Sequence, residues 1–180
     1  MVYVPHRIAI AALLLCAAFF APVACGQVTE AEVRAVFVVR LANFIEQVGG
    51  ETAGDTIVIS SLGNDQTAES IRGICAASPA GEMQPRYYAA EDAKDIDSCD
   101  ILYISSRCDN PVEAVRRAEI NGCLTIADEA TAKQAKVAVT LFTYEKKLRL
   151  RVNLDALDRA QVRLSARVLK LAEIVRDSDS

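Results

Sequence analysis

The chain has 180 residues, of which 52% are hydrophobic and 24% are charged, with 20 Lys and Arg against 24 Asp and Glu. This composition is typical of a globular chain with an apolar core and excludes a disordered or low-complexity polymer. The net charge of −4 excludes the basic face that nucleic-acid-binding proteins carry, so we expect no nucleic-acid partner. The only histidine is His6, near the N-terminus.

The N-terminus has the pattern of a secretory signal peptide. Residues 8–21 form an uncharged apolar run that is too short to span a hydrocarbon core of about 30 Å. Small residues at Ala24, Cys25 and Gly26 suit cleavage after Gly26. A short membrane anchor and a lipid attached to Cys25 stay open as alternatives. We therefore expect an exported protein without a transmembrane span in its mature chain, divided into a signal peptide (1–26), an α/β domain (27–176) and a disordered tail (177–180).

Cleavage would leave four cysteines, Cys75, Cys99, Cys108 and Cys123, and an even number in an exported protein favours disulfides. Their spacing contains no CxxC motif, which argues against a zinc site or a dithiol redox centre. Cys75 lies near the end of a predicted helix, and Cys99 lies at the start of a predicted strand. In a wound α/β sheet, the C-terminal ends of helices and the N-terminal ends of strands lie at the same edge. Cys75–Cys99 is therefore the preferred pair. Cys123 also opens a strand at that edge and is a rival partner, whereas a Cys108–Cys123 bridge needs a short or tilted intervening helix.

The first predicted helix begins at Thr29, where T-E-A-E matches a capping box, and ends at Gly49-Gly50. Its apolar residues recur at helical spacing but cover more than one stripe. Most of this apolar surface is typical of a helix that packs in the core. Val36 and Val39 form the excess, and together with Arg40 they are a candidate surface for a second protein or for a second copy of the chain.

The next segments alternate between strands and helices. Strands are predicted at 56–59, 85–89, 100–105 and 123–126, and helices at 67–77 and 112–120. This alternation favours a parallel βαβ core. Two β runs at 137–142 and 148–153 predict a hairpin on the sheet edge, and residues 164–175 predict a closing helix. The expected fold is α/β: a single-domain, three-layer sandwich with a mostly parallel sheet, a C-terminal hairpin and a closing helix.

Few residues of the sequence are suited to catalysis or to binding a nucleotide or a metal. Without His in the mature chain, Ser-His-Asp and Cys-His catalysis are excluded, and no glycine-rich nucleotide loop is present. Five carboxylates cluster in the sequence without the register of a calcium loop, so we interpret them as a solvated loop; they are Glu91, Asp92, Asp95, Asp97 and Asp100. We expect no enzyme, no metal and no cofactor.

Residues 142–175 combine a strand with Phe, a charged turn, a strand that ends in Asn-Leu, and a segment of the form Leu-Ser-x-x-Val-Leu-x-Leu-Ala. This pattern resembles the C-terminal signature of the YfiR family. The strand at 99–104 and the first helix at 33–45 resemble further segments of that family. The signature positions are Phe142, Asn153, Leu154, Leu164, Ser165, Val168, Leu169, Leu171 and Ala172.

The chain also departs from the family pattern. A Trp-Pro pair common after the first helix is replaced by residues 47–50, and residues 135–138 replace a glycine-rich approach to the Phe strand. Many members carry a Cys in the first strand that pairs with the counterpart of Cys99. Here Ser60 or Ser61 stands at that position, so the resemblance makes Cys75 a substitute partner.

The resemblance implies a periplasmic α/β protein that represses an inner-membrane diguanylate cyclase by binding its sensory region. Oxidised disulfides would stabilise the competent form, and reduction or folding stress would release the cyclase and raise cyclic di-GMP. An alternative function is a periplasmic small-molecule-binding or transport-accessory protein, because the carboxyl edge of an α/β sheet can hold small ligands.

Overall fold

A computed structural model describes residues 28–78, 84–92, 96 and 99–179. The predicted signal peptide and the alternative lipidation site at Cys25 lie outside these residues. The helices are α1 (Glu30–Leu41), α2 (Gln66–Ala77), α3 (Pro111–Ile120), α4 (Glu129–Ala132), α5 (Leu154–Arg159) and α6 (Ala166–Leu169). The strands are β1 (Ile45–Val48), β2 (Glu51–Thr52), β3 (Thr56–Leu62), β4 (Gln84–Ala90), β5 (Ile101–Ile104), β6 (Leu124–Asp128), β7 (Val139–Tyr144), β8 (Lys147–Asn153), β9 (Arg163–Leu164) and β10 (Glu173–Val175).

The central sheet has the strand order β10-β8-β7-β6-β5-β3-β4. Every neighbouring pair in it is parallel except β7 and β8, which form the predicted antiparallel hairpin. The predicted α/β class with a mostly parallel sheet is confirmed. From β3 the chain first adds β4 on one side and then crosses to β5 on the other, so the order reverses between β3 and β5.

Helices cover both faces of this sheet, which makes it the middle layer of three. All four residues of β5 are buried. Ile101 and Tyr103 belong to the core cluster that includes α1 and α2, whereas Leu102 and Ile104 belong to the cluster that includes α3. Successive side chains of a strand point to opposite faces, and an uninterrupted apolar strand therefore needs an apolar layer on each side.

The first helix begins as predicted and ends earlier. The Thr29 side chain accepts from the backbone N–H of Glu32 at 3.2 Å, and the Glu32 carboxylate accepts from the backbone N–H of Thr29 at 2.7 Å. The helix ends at Leu41, and the residues predicted to continue it form a 3₁₀ turn and then β1. In β1, Ile45 pairs with Leu164 of β9, and this distant partner overrides the local helical spacing.

A small sheet with the order β2-β1-β9 packs on the central domain through buried residues of β1 and β9 and through a glycine contact. Gly49, in the turn between β1 and β2, lies against Gly122, in the turn between α3 and β6. A Cβ added to Gly122 would overlap Gly49 Cα and lie 3.0 Å from Gly49 N. The backbone N–H of Gly50 also donates to the carbonyl of Gln161 at 2.9 Å.

The C-terminal region differs from the predicted closing helix over residues 164–175. Leu164 belongs to β9, α6 is a single short turn of helix, and residues 173–175 form β10. β10 pairs in parallel with β8, with Ile174 opposite Val152, so the hairpin lies one strand in from the edge. The unpaired backbone groups of β8 offer these residues a hydrogen-bonding partner that periodicity along the sequence does not reveal.

The tail is anchored at the point where the sequence predicts it to become disordered. Asp177 accepts hydrogen bonds from Asn153 Nδ2 at 2.8 Å and from Arg159 at 2.6 Å. The bond from Asn153, followed by that from Arg159, lowers the pKa of the Asp177 carboxyl. Ser180 lies outside the described residues.

Candidate functional site

An apolar groove of about 440 Å³ lies between the outer face of α1, strand β8 and the segment that carries α6. We call it the α1 groove. Its lining residues are Val36, Phe37, Arg40, Leu41, Phe44, Leu150, Arg167, Val168 and Leu171.

The α1 groove has a buried floor and exposed walls. Leu41, Leu150 and Val168 are buried, and all three also pack within the main core cluster. Phe37 is 36% exposed and Leu171 is 77% exposed. Large apolar side chains left in water next to one another are typical of an interaction surface, because each would gain free energy on being covered.

The predicted partner-binding residues divide between this groove and the core. Val36 and Arg40 line the groove, whereas Val39 is partly buried and packs against the core. The sequence analysis does not identify Phe37, Phe44 and Leu171 as groove residues. All three lie in segments predicted as helices, where apolar residues at helical spacing normally indicate core positions.

Basic side chains surround the groove. Arg40 and Arg167 line it, and Arg149 and Lys170 line an adjoining hollow that shares Leu150 and Leu171 with it. None of these four cations forms an ion pair with a residue that the structure describes. The chain as a whole is acidic, so this is a local excess of positive charge.

A neighbouring arginine shows the contrasting arrangement. The Arg151 guanidinium contacts the Glu173 carboxylate at 3.1 Å and lies over the Phe142 ring at 4.7 Å from its centroid. Its charge is therefore compensated within the chain. The four cations that border the α1 groove have no such carboxylate partner among the described residues.

Most of the signature residues shape the fold. The Asn153 side chain accepts from the backbone N–H groups of Asp155 and Ala156 and so caps α5, and Leu164 is buried in β9. Ser165 precedes α6 and donates its backbone N–H to Phe44 O at 2.8 Å. The remaining members that pack on or within the core are Leu154, Val168, Leu169 and Ala172. Phe142 and Leu171 lie outside the core clusters: the Phe142 ring lies under the Arg151 guanidinium, and the side chain of Leu171 is exposed on the wall of the α1 groove.

The structure brings Cys99 to Cys123. Their Sγ atoms lie 3.1 Å apart at the amino ends of β5 and β6, where both residues are buried. The hydrogen bond with Cys123, together with burial, raises the pKa of the Cys99 thiol. All four described cysteines are present as thiols.

The preferred Cys75–Cys99 pair is not brought together. Cys75 lies in α2 in the core cluster on one face of the sheet, and Cys99 lies in the cluster on the other face. Burial raises the pKa of the Cys75 thiol to about 11, which makes it a weak nucleophile. Cys108 lies in the loop after β5, at the opposite end of the sheet from Cys123, because α3 spans the distance between them.

The carboxyl edge of the sheet, where the alternative function would place a ligand, is occupied by its own loops. The backbone at Gly63 lies against the loop after β5: an added Cβ would lie 3.0 Å from Cys108 N and 3.1 Å from Ser105 Cβ. Arg107 donates to the carbonyl of Asn64 at 3.2 Å. These contacts bring the loops after β3 and β5 together at the point where α/β sheets commonly bind ligands.

The described part of the chain contains neither a metal-binding cluster nor a membrane-spanning helix. In residues 28–78, 84–92, 96 and 99–179, no cluster of three or more His, Cys, Asp or Glu could hold a metal ion. Nor does any helix in this part of the chain have the length and apolarity needed to cross a membrane.

Similarity to solved structures is limited to the fold. A conserved domain protein from Vibrio cholerae matches 81% of this chain at 10% identity with a TM-score of 0.49. The ABC domain from Streptococcus pneumoniae, solved in complex with L-Trp, matches 81% of it at 9% identity with a TM-score of 0.52. In each case the match spans 60% of the other protein's length.

Sequence comparison is more specific. No protein of curated function matches the chain. The sequence profile of the YfiR/HmsC-like proteins (DUF4154) matches residues 31–173, from α1 into β10. The matched region includes the α1 groove, the Cys99–Cys123 pair and the C-terminal signature. The chain therefore belongs to the YfiR/HmsC-like family.

Proposed function

We propose that this protein is a periplasmic, non-catalytic regulator that represses an inner-membrane diguanylate cyclase by binding the cyclase's periplasmic sensor region. The observation that carries this proposal is the family match over residues 31–173. Membership in the family suggests a periplasmic regulator of a diguanylate cyclase. The α1 groove supports action by contact, because it exposes apolar side chains that a partner would cover.

The cysteine pair supports a link to the redox state of the envelope. Oxidation would join Cys99 and Cys123 by exchange with a disulfide donor: the two thiols lose two protons and two electrons, and the donor is reduced to two thiols. Their contact at 3.1 Å lies within reach of a disulfide after small side-chain rotations. Because both residues are buried, the exchange takes place before the domain closes or during local opening, and the completed bond is then protected from reductants.

Deletion of the gene tests the function. We expect cellular cyclic di-GMP to rise, to return to its original level with the full-length chain, and the tagged protein to co-purify with a membrane cyclase. A deletion strain whose cyclic di-GMP is unchanged in growth conditions in which the cyclase is active would contradict the proposal.

Non-reducing peptide mapping of protein from the periplasmic fraction tests the bridge. We expect a linked peptide pair containing Cys99 and Cys123, and the same pair in a Cys75→Ala variant. Four unmodified thiols in exported protein, or a bridge from Cys99 to Cys75, would contradict this assignment.

A further inference from the structure

The α1 groove and the unpaired cations around it define the chemistry of its partner. We propose that the groove binds an acidic amphipathic α-helix, with apolar side chains inserted into the groove and Asp or Glu side chains beside the basic residues. This inference rests on the proposed function, and within it the helix belongs to the regulated sensor protein.

The walls of the groove determine that the ligand is a helix. One wall is α1, whose backbone hydrogen bonds are formed within the helix, and the contacts on offer are side chains such as Val36 and Phe37. β10 pairs with β8 at residues 151–153, and a segment that lies against the side chains of α1 finds no backbone partner on that wall, so its own backbone groups must be satisfied internally. An α-helix meets this requirement, and apolar side chains spaced by three and four residues fit such a groove.

The charge distribution determines that the helix is acidic. Arg40 and Arg167 border the groove, Arg149 and Lys170 continue the basic border, and none of them has an acidic partner among the described residues. Carboxylates at these positions would form four new attractive contacts. Complementary charge of this kind selects the partner and speeds its association.

The same charges disfavour a second copy of this chain as the occupant. In a symmetric dimer the same patch would face itself, which places each group of cations against its own image. The shape of the site disfavours a lipid surface, because Leu41, Leu150 and Val168 form a recessed floor instead of a projecting apolar edge that could enter a bilayer.

Photocrosslinking in cells tests the occupant. A photoreactive phenylalanine analogue replaces Phe37 in the groove or, as the control, Ile120, which is 69% exposed at the end of α3. We expect a crosslink from position 37, and not from 120, to a segment of another protein with apolar residues at helical spacing flanked by Asp or Glu. Crosslinking to this chain itself, to phospholipid or to a segment without acidic residues, or no crosslink, would overturn the proposal.

Charge reversal provides a second measurement that separates this inference from the proposed function. The double variant R40E/R167E should lose at least 10-fold in co-purification with the cyclase and raise cyclic di-GMP to the level of the deletion strain. The matched variant R72E/R86E changes the net charge equally at exposed residues that do not line the groove, and it should behave as the wild type. Equal behaviour of the two variants would overturn the inference, whereas unchanged cyclic di-GMP in the deletion strain would overturn the function itself.

Discussion

Replacing Gly122 with alanine tests how the small sheet is attached to the central domain. Gly122 has a φ of +74°, and an added Cβ would overlap Gly49 Cα. The obstacle is backbone, which cannot rotate aside as a flexible side chain can. The alanine variant therefore meets both a conformational cost and a steric one.

The expected loss of stability is the sum of these two costs. A left-handed backbone costs an L-amino acid about 1–2 kcal/mol, and forcing a methyl group into a packed contact costs about 1–3 kcal/mol. We expect the free energy of unfolding of G122A to be lower by about 2–5 kcal/mol. For a domain of this size, this corresponds to a fall in Tm of about 5–15 °C.

Thermal unfolding followed by circular dichroism measures the change, and hydrogen exchange locates it. The amide of Gly50, which donates to Gln161 O, should exchange faster in G122A if the turn between β1 and β2 moves away to relieve the overlap. The matched control is G73A: Gly73 lies within α2, and an added Cβ there has no neighbour within 4 Å. This variant should gain about 0.5–1 kcal/mol, because glycine destabilises a helix interior by that amount. A G122A protein with the wild-type Tm and a protected Gly50 amide would refute the reasoning.

Three further predictions concern the cysteine pair, the cap of α5 and an exposed carboxylate. Without reductant, the free energy of unfolding of C123A should be about 3 kcal/mol lower than that of the oxidised wild type, because C123A cannot form the bridge to Cys99. Urea unfolding measures this free energy. The N153A variant loses the α5 cap and should be less stable by about 1–2 kcal/mol in the same assay. The hydrogen bond from Arg116 lowers the pKa of Glu113 to about 2, so its stabilising contribution is complete above its unfolded pKa of about 4.3 and is lost as the pH falls towards 2. In R116A, an NMR titration should show the pKa of Glu113 moving back towards its ordinary range.

Controls keep these outcomes distinct. Unfolding in the presence of reductant, which reaches the Cys99–Cys123 bridge once urea opens the domain, should remove most of the difference between C123A and the wild type, and C75A should respond to reductant as the wild type does. N153D keeps an oxygen that can cap α5 and should recover part of the loss. A wild-type protein in which Glu113 titrates near 4, or a C123A variant as stable as the oxidised wild type, would contradict the corresponding prediction.

The sequence predicted those parts of the fold that depend on near neighbours. The capping box at Thr29 involves residues three apart, and the apolar run of β5 needs only alternation along one strand to predict a sheet covered on both faces. It could not predict where α1 ends, because the strand at Ile45 forms by pairing with Leu164, far along the chain. Competition between helical periodicity and a distant strand partner is decided by the assembled fold.

The residues of the candidate site also divide into those that local sequence predicts and those that only the assembled fold places. The sequence predicts Val36 as a surface residue because the apolar face of the first helix is wider than a core helix needs, which is a local property. Leu171 lies within the predicted closing helix, where apolar spacing indicates a core position, yet the structure leaves it exposed. Its exposure results from the short length of α6, which follows from the pairing of β9 and β10 with other strands.

By itself, the amino-acid order determined the class of the domain, the start of its first helix and the four thiols of residues 27–180, since capping, alternation and composition are properties of neighbouring residues. Only the tertiary structure decided that Cys99 meets Cys123 and not Cys75. The sheet separates the two faces on which Cys75 and Cys99 lie, and the face that a side chain occupies depends on how the whole sheet is assembled. The same assembly places the basic residues of α1, β8 and the C-terminal segment around one apolar groove.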